Sequence, residues 1–490
     1  MQRSDDDRRE LAKALQWWDG FVIGLANPGF LIGSLAFSVG ILGGWGAAAL
    51  WAVSVGIGAL AAWIYSELGA MFPDKPGGIA FYAHEGWRRV LSLVGPVAGF
   101  GYWFAWSSGL AIFGLLIGSL AATLWFPGQD WTVSTGIAEV GLPHLVGGAF
   151  IVLVWLVNVY GIRPSMRTAY VTAALLLVPV AVLIALPLLT GEWESSNLTW
   201  SLDGDGQDWG GWKTALVWLF IMGWSAYGME IPGVFAPEYK RGARDVSLAL
   251  RSCALFTVAI YLLLPLATAG TAGQEAADRA VSTGNPAHFF VPAFERLVGD
   301  TAADVLGLLL IGGLVLVMNT VTGDGSRALY SIAREGMTIR QLDHLNRHAV
   351  PARAMTLDLV ANLLLLFFVG DMLAILFAAN VGYILAHVFA LTGFLLLRQA
   401  APAHERPVRL GRIWLPIAGV LAAANLVFLA VAFSDPGLAA YGGSKERWIA
   451  VAVLLSPLVL FAYRRKVQDR AIPVPEDAPA LPLAEREGAS

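Results

Sequence analysis

Two of the long apolar runs in this chain are interrupted midway, five runs apart, by residues that a helix tolerates poorly. The first interruption reads Gly24-Leu25-Ala26-Asn27-Pro28-Gly29-Phe30, inside an apolar stretch from about Phe21 to Leu42. The second reads Gly223-Trp224-Ser225-Ala226-Tyr227-Gly228-Met229-Glu230, inside a stretch that starts near Lys213. Proline removes a helix hydrogen bond and clashes with the preceding turn, while paired glycines lower the cost of leaving helical geometry. In hydrocarbon, such a break leaves N–H and C=O groups bare. It persists only where protein, water or a bound solute satisfies them. Matching breaks in corresponding spans of two halves are the best sequence pointer to the solute site of a secondary transporter.

Composition agrees with a membrane protein. Of 490 residues, 57% are hydrophobic and 14% charged, with a mean hydropathy of +0.64. A soluble chain of this size carries roughly a quarter charged residues. Repeated runs of about 20 apolar residues, each able to cross a bilayer, exclude a string of soluble domains. The charged start from Arg3 to Arg9 leads into a long interrupted span without a small-residue cleavage site, so no cleaved signal peptide is expected. The single cysteine, Cys253, rules out an intrachain disulfide or a multi-cysteine metal site and reads as core filler.

Hydropathy gives twelve spans, at about 17–41, 46–72, 93–126, 143–162, 169–190, 213–236, 248–270, 302–322, 355–370, 372–397, 412–433 and 447–463, with Gly370-Asp371 as a tight outer turn. Assigning loops alternately puts all of the 32 Lys and Arg on one side except Lys213, Arg279, Arg296, Lys445 and Arg447. The basic side is the cytoplasmic one, so both termini are expected in the cytoplasm of a bacterial cell, with the chain multi-pass in its plasma membrane. Spans 1 and 6 then enter from opposite faces. The fold expected is an all-α integral membrane protein with a 5+5 inverted repeat, helices 1 and 6 broken, and two further helices.

By domain, residues 1–16 form a cytoplasmic segment, 17–400 the repeat core, 401–466 spans 11 and 12, and 467–490 a disordered cytoplasmic tail rich in Pro, Ala and Glu. The acidic, Trp-rich loop Gly191–Gly211 is expected to be a solvated outer loop. Apolar spacing in Asn285–Gly299 predicts a short amphipathic outer helix, either a gate or a surface element.

Three segments carry a family resemblance. Pro76-Gly77-Gly78-Ile79-Ala80-Phe81-Tyr82 has the form P-G-G-x-x-x-Y after span 2. Trp224 through Glu230 runs on to Ala236-Pro237-Glu238-Tyr239-Lys240-Arg241. Ser326-Arg327-Ala328-Leu329-Tyr330-Ser331-Ile332-Ala333-Arg334-Glu335-Gly336 leaves span 8, and Val350-Pro351 follows. In this order they resemble APC (amino acid–polyamine–organocation) permeases over about residues 15–400. The resemblance implies transport of an amino acid or related amine, and the family often has glutamate at the spacing of Glu230. Two departures stand out. Ala26-Asn27-Pro28-Gly29 replaces the Gly-Ser-Gly type of stretch usual in span 1. Span 5, from Ala169 to Thr190, lacks the lysine that stands in for sodium in some relatives.

The candidate solute-binding residues are Gly24, Ala26, Asn27 and Gly29 at the first break and Gly223, Trp224, Tyr227 and Gly228 at the second, with Trp103 and Ser107 in span 3. Freed amides at a half-helix N-terminus suit a carboxylate, and freed carbonyls suit an ammonium, so an amino acid zwitterion fits two such breaks. Trp224 stacked on a cation would contribute roughly 0.5–2 kcal/mol. Trp106 neighbours Trp103 and Ser107. Glu230 is the coupling candidate, its alternative being a protonated glutamate bonded to a neighbouring span. Asn158, Asn319, Asn362 and Asn380 read as interhelical hydrogen bonds. Asp324 and Arg327 read as an inner ion pair or helix cap, and His387 as a proton relay or bonded core residue. Asp19 and Glu67 are either inner-gate partners of loop arginines or solvated positions at the membrane edge.

The function expected is secondary active transport of an amino acid or related amine, coupled to H+ or Na+ or run as exchange. A permease for an amine without a carboxylate, such as ethanolamine or a polyamine, is the first alternative. A sensor or channel on the same scaffold is the second. No nucleotide-binding motif, nucleophile–base pair or metal constellation is visible, so ATP-driven pumping and enzyme activity are not expected, and no cofactor or nucleic-acid partner is assigned. The charge asymmetry makes one test immediate. A reporter fused after Arg470 should be active inside the cell, and activity only outside would overturn the span map.

Overall fold

The computed structural model describes residues 10–129, 131–134, 139–202, 211–369, 372–400, 404–435, 437 and 444–469. The tail after Arg470 and the Gly370-Asp371 turn lie outside them. The architecture is all-helical apart from a small antiparallel hairpin, β1 (Thr132–Ser134) and β2 (Glu139–Gly141). Among the described residues, ten helical stretches are long and apolar enough to cross a membrane.

In chain order the helices are α1 (Trp17–Gly24), α2 (Asn27–Met71), α3 (Gly78–Trp87), α4 (Val94–Ser107), α5 (Gly109–Trp125), α6 (Leu142–Val159), α7 (Ile162–Thr190) and α8 (Trp212–Ala226). A 3₁₀ segment, Gly228–Glu238, continues α8. Then come α9 (Ala243–Thr283), α10 (Ala287–Val298), α11 (Asp300–Arg334), α12 (Ala352–Phe368), α13 (Met372–Ala400), α14 (Trp414–Ser434) and α15 (Ser444–Tyr463). Two of these helices change direction at a glycine with positive φ, Gly43 in α2 (φ 73°) and Gly273 in α9 (φ 79°). Side chains rarely adopt that backbone conformation, which is why glycine stands at both bends.

The segment after α7 docks onto these bends instead of standing free in solvent. Trp193 donates to the Leu266 carbonyl (3.0 Å), Asn197 to that of Gly270 (2.8 Å), and the Ser201 amide to that of Leu42 (3.1 Å). Glu192 and Glu194 both pair with Arg296 of α10, at 2.7 and 2.9 Å. The expected solvated loop is therefore a packed cap over the described part, because its tryptophan and amide groups find carbonyls at the helix bends. Asp203, Asp205 and Asp208 lie outside the described residues. The amphipathic helix expected in 285–299 is α10, with Phe289, Phe290 and Phe294 buried against α9 and α11.

On the arginine-rich face, ion pairs replace apolar packing. Glu238 holds Arg327 through both guanidinium arms, both side chains buried, with Phe235 beneath the guanidinium. The N-terminal segment joins the same knot, since the Ala14 and Leu15 amides donate to the Glu238 carbonyl at 2.9 and 2.8 Å. Asp19 accepts from Tyr170 (2.7 Å) and not from a loop arginine. Glu67 is buried and meets Arg398 at 2.5 Å, Arg406 at 3.3 Å and the Leu410 amide at 2.8 Å, which fastens the segment between α13 and α14 onto α2. Removing one partner of a buried pair leaves uncompensated charge, at about 3–5 kcal/mol. Glu67→Ala should therefore lower stability by about 3 kcal/mol or more, read as the midpoint of thermal unfolding in detergent. A midpoint equal to wild type would show that solvent reaches these arginines.

Candidate functional site

The first break is tighter than its sequence implies. α1 ends at Gly24, Leu25 and Ala26 make a turn, and α2 restarts at Asn27 with Pro28 in its first turn, where no amide donor is required. The Leu25 amide donates to Phe21 (3.0 Å), Ala26 to Ile23 (3.2 Å) and Gly29 to Ala26 (2.9 Å). Most of the amides expected to be free over Gly24–Gly29 are thus already held. A Cβ on Gly24 would lie 2.2 Å from Cys253 Sγ, and one on Gly29 would lie 2.2 Å from Val317 Cγ2. These glycines let α9 and α11 approach the turn. Asn27 supplies the turn's polar side chain: its Nδ2 donates to the Gly24 carbonyl (2.7 Å), while its buried Oδ1 has no partner.

The second break is a change of winding rather than a gap. α8 ends at Ala226, and the eleven-residue 3₁₀ segment carries the chain on, with the Glu230 amide bonded to Tyr227 (3.2 Å). Pro232 and Pro237 each lack the amide an α-helix would use, and 3₁₀ runs beyond three or four residues are uncommon and mark strain or hinges. The two breaks meet at Gly228. A Cβ there would sit 3.0 Å from Asn27 Oδ1, 3.0 Å from Trp106 and 3.2 Å from Phe30. Gly223 faces α13 instead, with Ile384 2.8 Å from the same construction.

An aromatic cluster covers the meeting point. Trp224 lies 5.8 Å from Phe30, 5.5 Å from Trp106 and 6.0 Å from Phe113, stacked on the last, and its indole donates to the Ala105 carbonyl (3.0 Å). Beside it, Glu230 is fully buried. It accepts from Tyr102 (3.0 and 3.1 Å), Trp106 (3.2 Å) and Tyr383 (3.1 Å), donors drawn from α4 and α13. Tyr102 is also 2.9 Å from Asp324 Oδ1. The ion pair expected between Asp324 and Arg327 does not form, because Glu238 takes the arginine.

Other predicted residues face outward from this centre. Trp103 donates to Asp358 (2.6 Å), and Ser107 accepts from Asn362 (3.1 Å), which turns both toward α12. Tyr227 donates to Asn425 of α14 (3.1 Å) and packs edge-on against His387. The four asparagines do bond across helices: Asn158 to Asn319, Asn362 to Ser107, and Asn380 to the Phe220 carbonyl. His387 meets the Tyr65 hydroxyl (2.8 Å). Among the described residues, no group of three or more His, Cys, Asp and Glu gathers as metal ligands.

Sequence reasoning missed Tyr102, Tyr383, Asp358 and Tyr261. The Tyr261 hydroxyl, on α9, lies 3.0 Å from the Asn27 carbonyl and 2.9 Å from that of Ser225, one from each break. For the three tyrosines the signal was a phenol, and for Asp358 a carboxyl, inside an otherwise apolar span, where each needs a partner.

The chain matches the family described as amino acid permease over residues 15–457. It is 23% identical over 366 residues to the lysine-specific permease LysP of Escherichia coli (strain K12), covering 71% of this chain and 69% of that one. It is 24% identical over 366 residues to the amino-acid permease RocE of Bacillus subtilis (strain 168), covering 72% of each. It is 22% identical over 371 residues to the histidine permease HisP of Lactococcus lactis subsp. cremoris (strain MG1363), covering 74% of this chain and 73% of that one. The family match takes in every element from α1 to α14, and the chain belongs to the amino acid permease family.

Proposed function

We propose that the protein is a secondary active transporter that moves an amino acid across a bacterial plasma membrane by alternating access. The observation that carries this reading is the meeting of two interrupted helices at Gly228 and Asn27, under an aromatic cover and beside the buried Glu230. Three relatives named as permeases of lysine, amino acids and histidine agree with it. In this reading the bend at Gly43 divides the first helical stretch into spans 1 and 2. The 17 residues of α12 reach about 25 Å at 1.5 Å each and serve as span 9, which restores twelve spans and the 5+5 repeat. Both termini then lie in the cytoplasm, with the Arg327–Glu238 knot on the inner face.

The solute carboxylate faces the turn at Gly24, Ala26, Asn27 and Gly29. Its ammonium faces Gly223–Gly228 and Glu230, with Trp224 as a lid. Trp103, Ser107 and Tyr227 act at one remove, holding α4 and the second break against α12 and α14. Net uptake draws on a proton or sodium gradient, and Glu230 belongs to the coupling apparatus. One observation favours the alternative of an amine without a carboxylate. Most amides of the first turn are already bonded, so few donors remain for a carboxylate, while the acidic side of the site is complete.

Uptake into proteoliposomes, competed by amino acids and by simple amines, separates the two. Amino acids should compete at least tenfold better than amines, and the reverse order would establish the amine permease. Gly228→Ala tests the site itself. Its new methyl meets Asn27, Trp106 and Phe30 at 3.0–3.2 Å, close enough to fill the space yet tolerable with small shifts. Solute affinity should fall at least tenfold while the unfolding midpoint stays within a few degrees of wild type. Wild-type affinity in that variant would move the solute site away from the breaks.

A further inference from the structure

We propose that Asp324 holds the coupling proton while Glu230 stays ionised, and that opening of the Arg327–Glu238 pair releases it. This rests on the transport reading above and names the residue that couples it. Tyr102 stands between two carboxyls. Its hydroxyl lies 3.0 and 3.1 Å from the two Glu230 oxygens and 2.9 Å from Asp324 Oδ1. A phenol has one hydrogen, so it donates to one carboxyl only. At 2.9–3.1 Å the other contact between oxygens needs a hydrogen of its own, which a carboxylic acid supplies.

The acid is identified by what else each carboxyl meets. Glu230 also receives the Trp106 indole and the Tyr383 hydroxyl, so an ionised Glu230 has donors from three side chains. Asp324 has the Tyr102 contact alone, and its Oδ2 is buried without a partner. A buried charge without donors is far costlier than a neutral acid. The chain of bonds therefore runs from the Asp324 hydroxyl to Tyr102, and from Tyr102 to Glu230.

The titratable and charged groups facing Asp324 are Tyr102 on α4, Glu230 on the 3₁₀ segment, Asp358 on α12, Tyr383 on α13 and Arg327 on α11 itself. Arg327 is the cation of this set, and it stands three residues after Asp324, a spacing at which helical side chains meet. In this closed arrangement Glu238 occupies it, so Asp324 has no counter-charge and keeps its proton. When the 3₁₀ segment parts from α11, Arg327 is freed to pair with an ionised Asp324, and the Asp324 proton passes to water that enters through the parted contact from the arginine-rich face. Gate opening and proton release are then one event.

The test uses purified protein in proteoliposomes, with substrate exchange and pH-gradient-driven accumulation measured side by side. Asp324→Asn should keep exchange within about twofold of wild type, lose at least tenfold in accumulation, and flatten the dependence of net uptake on pH. Accumulation with the wild-type pH profile in Asp324→Asn would overturn the proposal. So would wild-type accumulation that ignores the pH gradient. Absence of any amino acid or amine exchange in wild type would overturn the transport reading itself. A second readout needs no transport: the infrared carbonyl band of a protonated carboxylic acid at neutral pH. The band component assigned to this site should be lost in Asp324→Asn and in Glu238→Gln, which frees Arg327, and be kept in Asp358→Asn. A spectrum unchanged by Asp324→Asn would overturn the assignment whether or not the variant transports.

Discussion

Two carbonyls at the centre of this protein, those of Asn27 and Ser225, belong to interrupted helices, and both lie within hydrogen-bonding distance of the Tyr261 hydroxyl on α9. The Ser225 side chain is 2.7 Å from the same oxygen. Inside a bilayer, backbone groups released from a helix have no water to turn to, and each costs several kcal/mol if left bare. Tyr261 has one hydrogen to donate, so it satisfies one of these carbonyls at a time, and its place on α9 holds the two breaks side by side. The turn at Leu25-Ala26 and the 3₁₀ run after Tyr227 are what remains of two helices once their polar groups have been satisfied.

Around that fixed point the polar bonds divide the molecule by role. Glu230 gathers α4 and α13 through Tyr102, Trp106 and Tyr383, so those helices cannot separate from the 3₁₀ segment without releasing a buried carboxylate. One step further toward the basic face, Arg327 and Glu238 tie the 3₁₀ segment to α11, and Glu67 ties α2 to the chain after α13. Away from that face, the Trp193 segment and α10 lie over the Gly43 and Gly273 bends, held by indole and amide bonds to helix carbonyls and by the half-exposed pairs of Arg296 with Glu192 and Glu194. Buried ion pairs on one side and a docked cap with its own exposed ion pairs on the other are the two closures that the transport reading proposed above would have to open in turn.

Much of this was legible in the sequence, and the reasons are specific. The membrane class, the many long apolar helices and the location of both breaks follow from apolar run length and from Pro28 and the paired glycines, signals local to the chain. The amphipathic helix α10 followed from periodicity. What was not legible depends on which face a residue presents to which neighbour. Trp103, Trp106 and Ser107 look equivalent as a string, yet only Trp106 reaches Glu230, while Trp103 and Ser107 turn to α12. Asp324 and Arg327 read as a pair because they are three residues apart, and the competing Glu238 is 89 positions away. Gly24 and Gly29 read as ligand groups, and their missing side chains also make room for Cys253 and Val317, a packing role that the sequence did not show. Spacing along one helix says nothing of such partners.

The central claim is that both breaks hold one solute together. Hydrogen-exchange mass spectrometry tests it directly, comparing peptides that cover residues 22–30 and 222–231 with and without an amino acid that stabilises the purified protein. A solute bridging the breaks should slow exchange in both peptides at the same concentration, along with the α9 peptide that contains Tyr261. Slowing confined to one break, or to the α10 cap alone, would contradict the account.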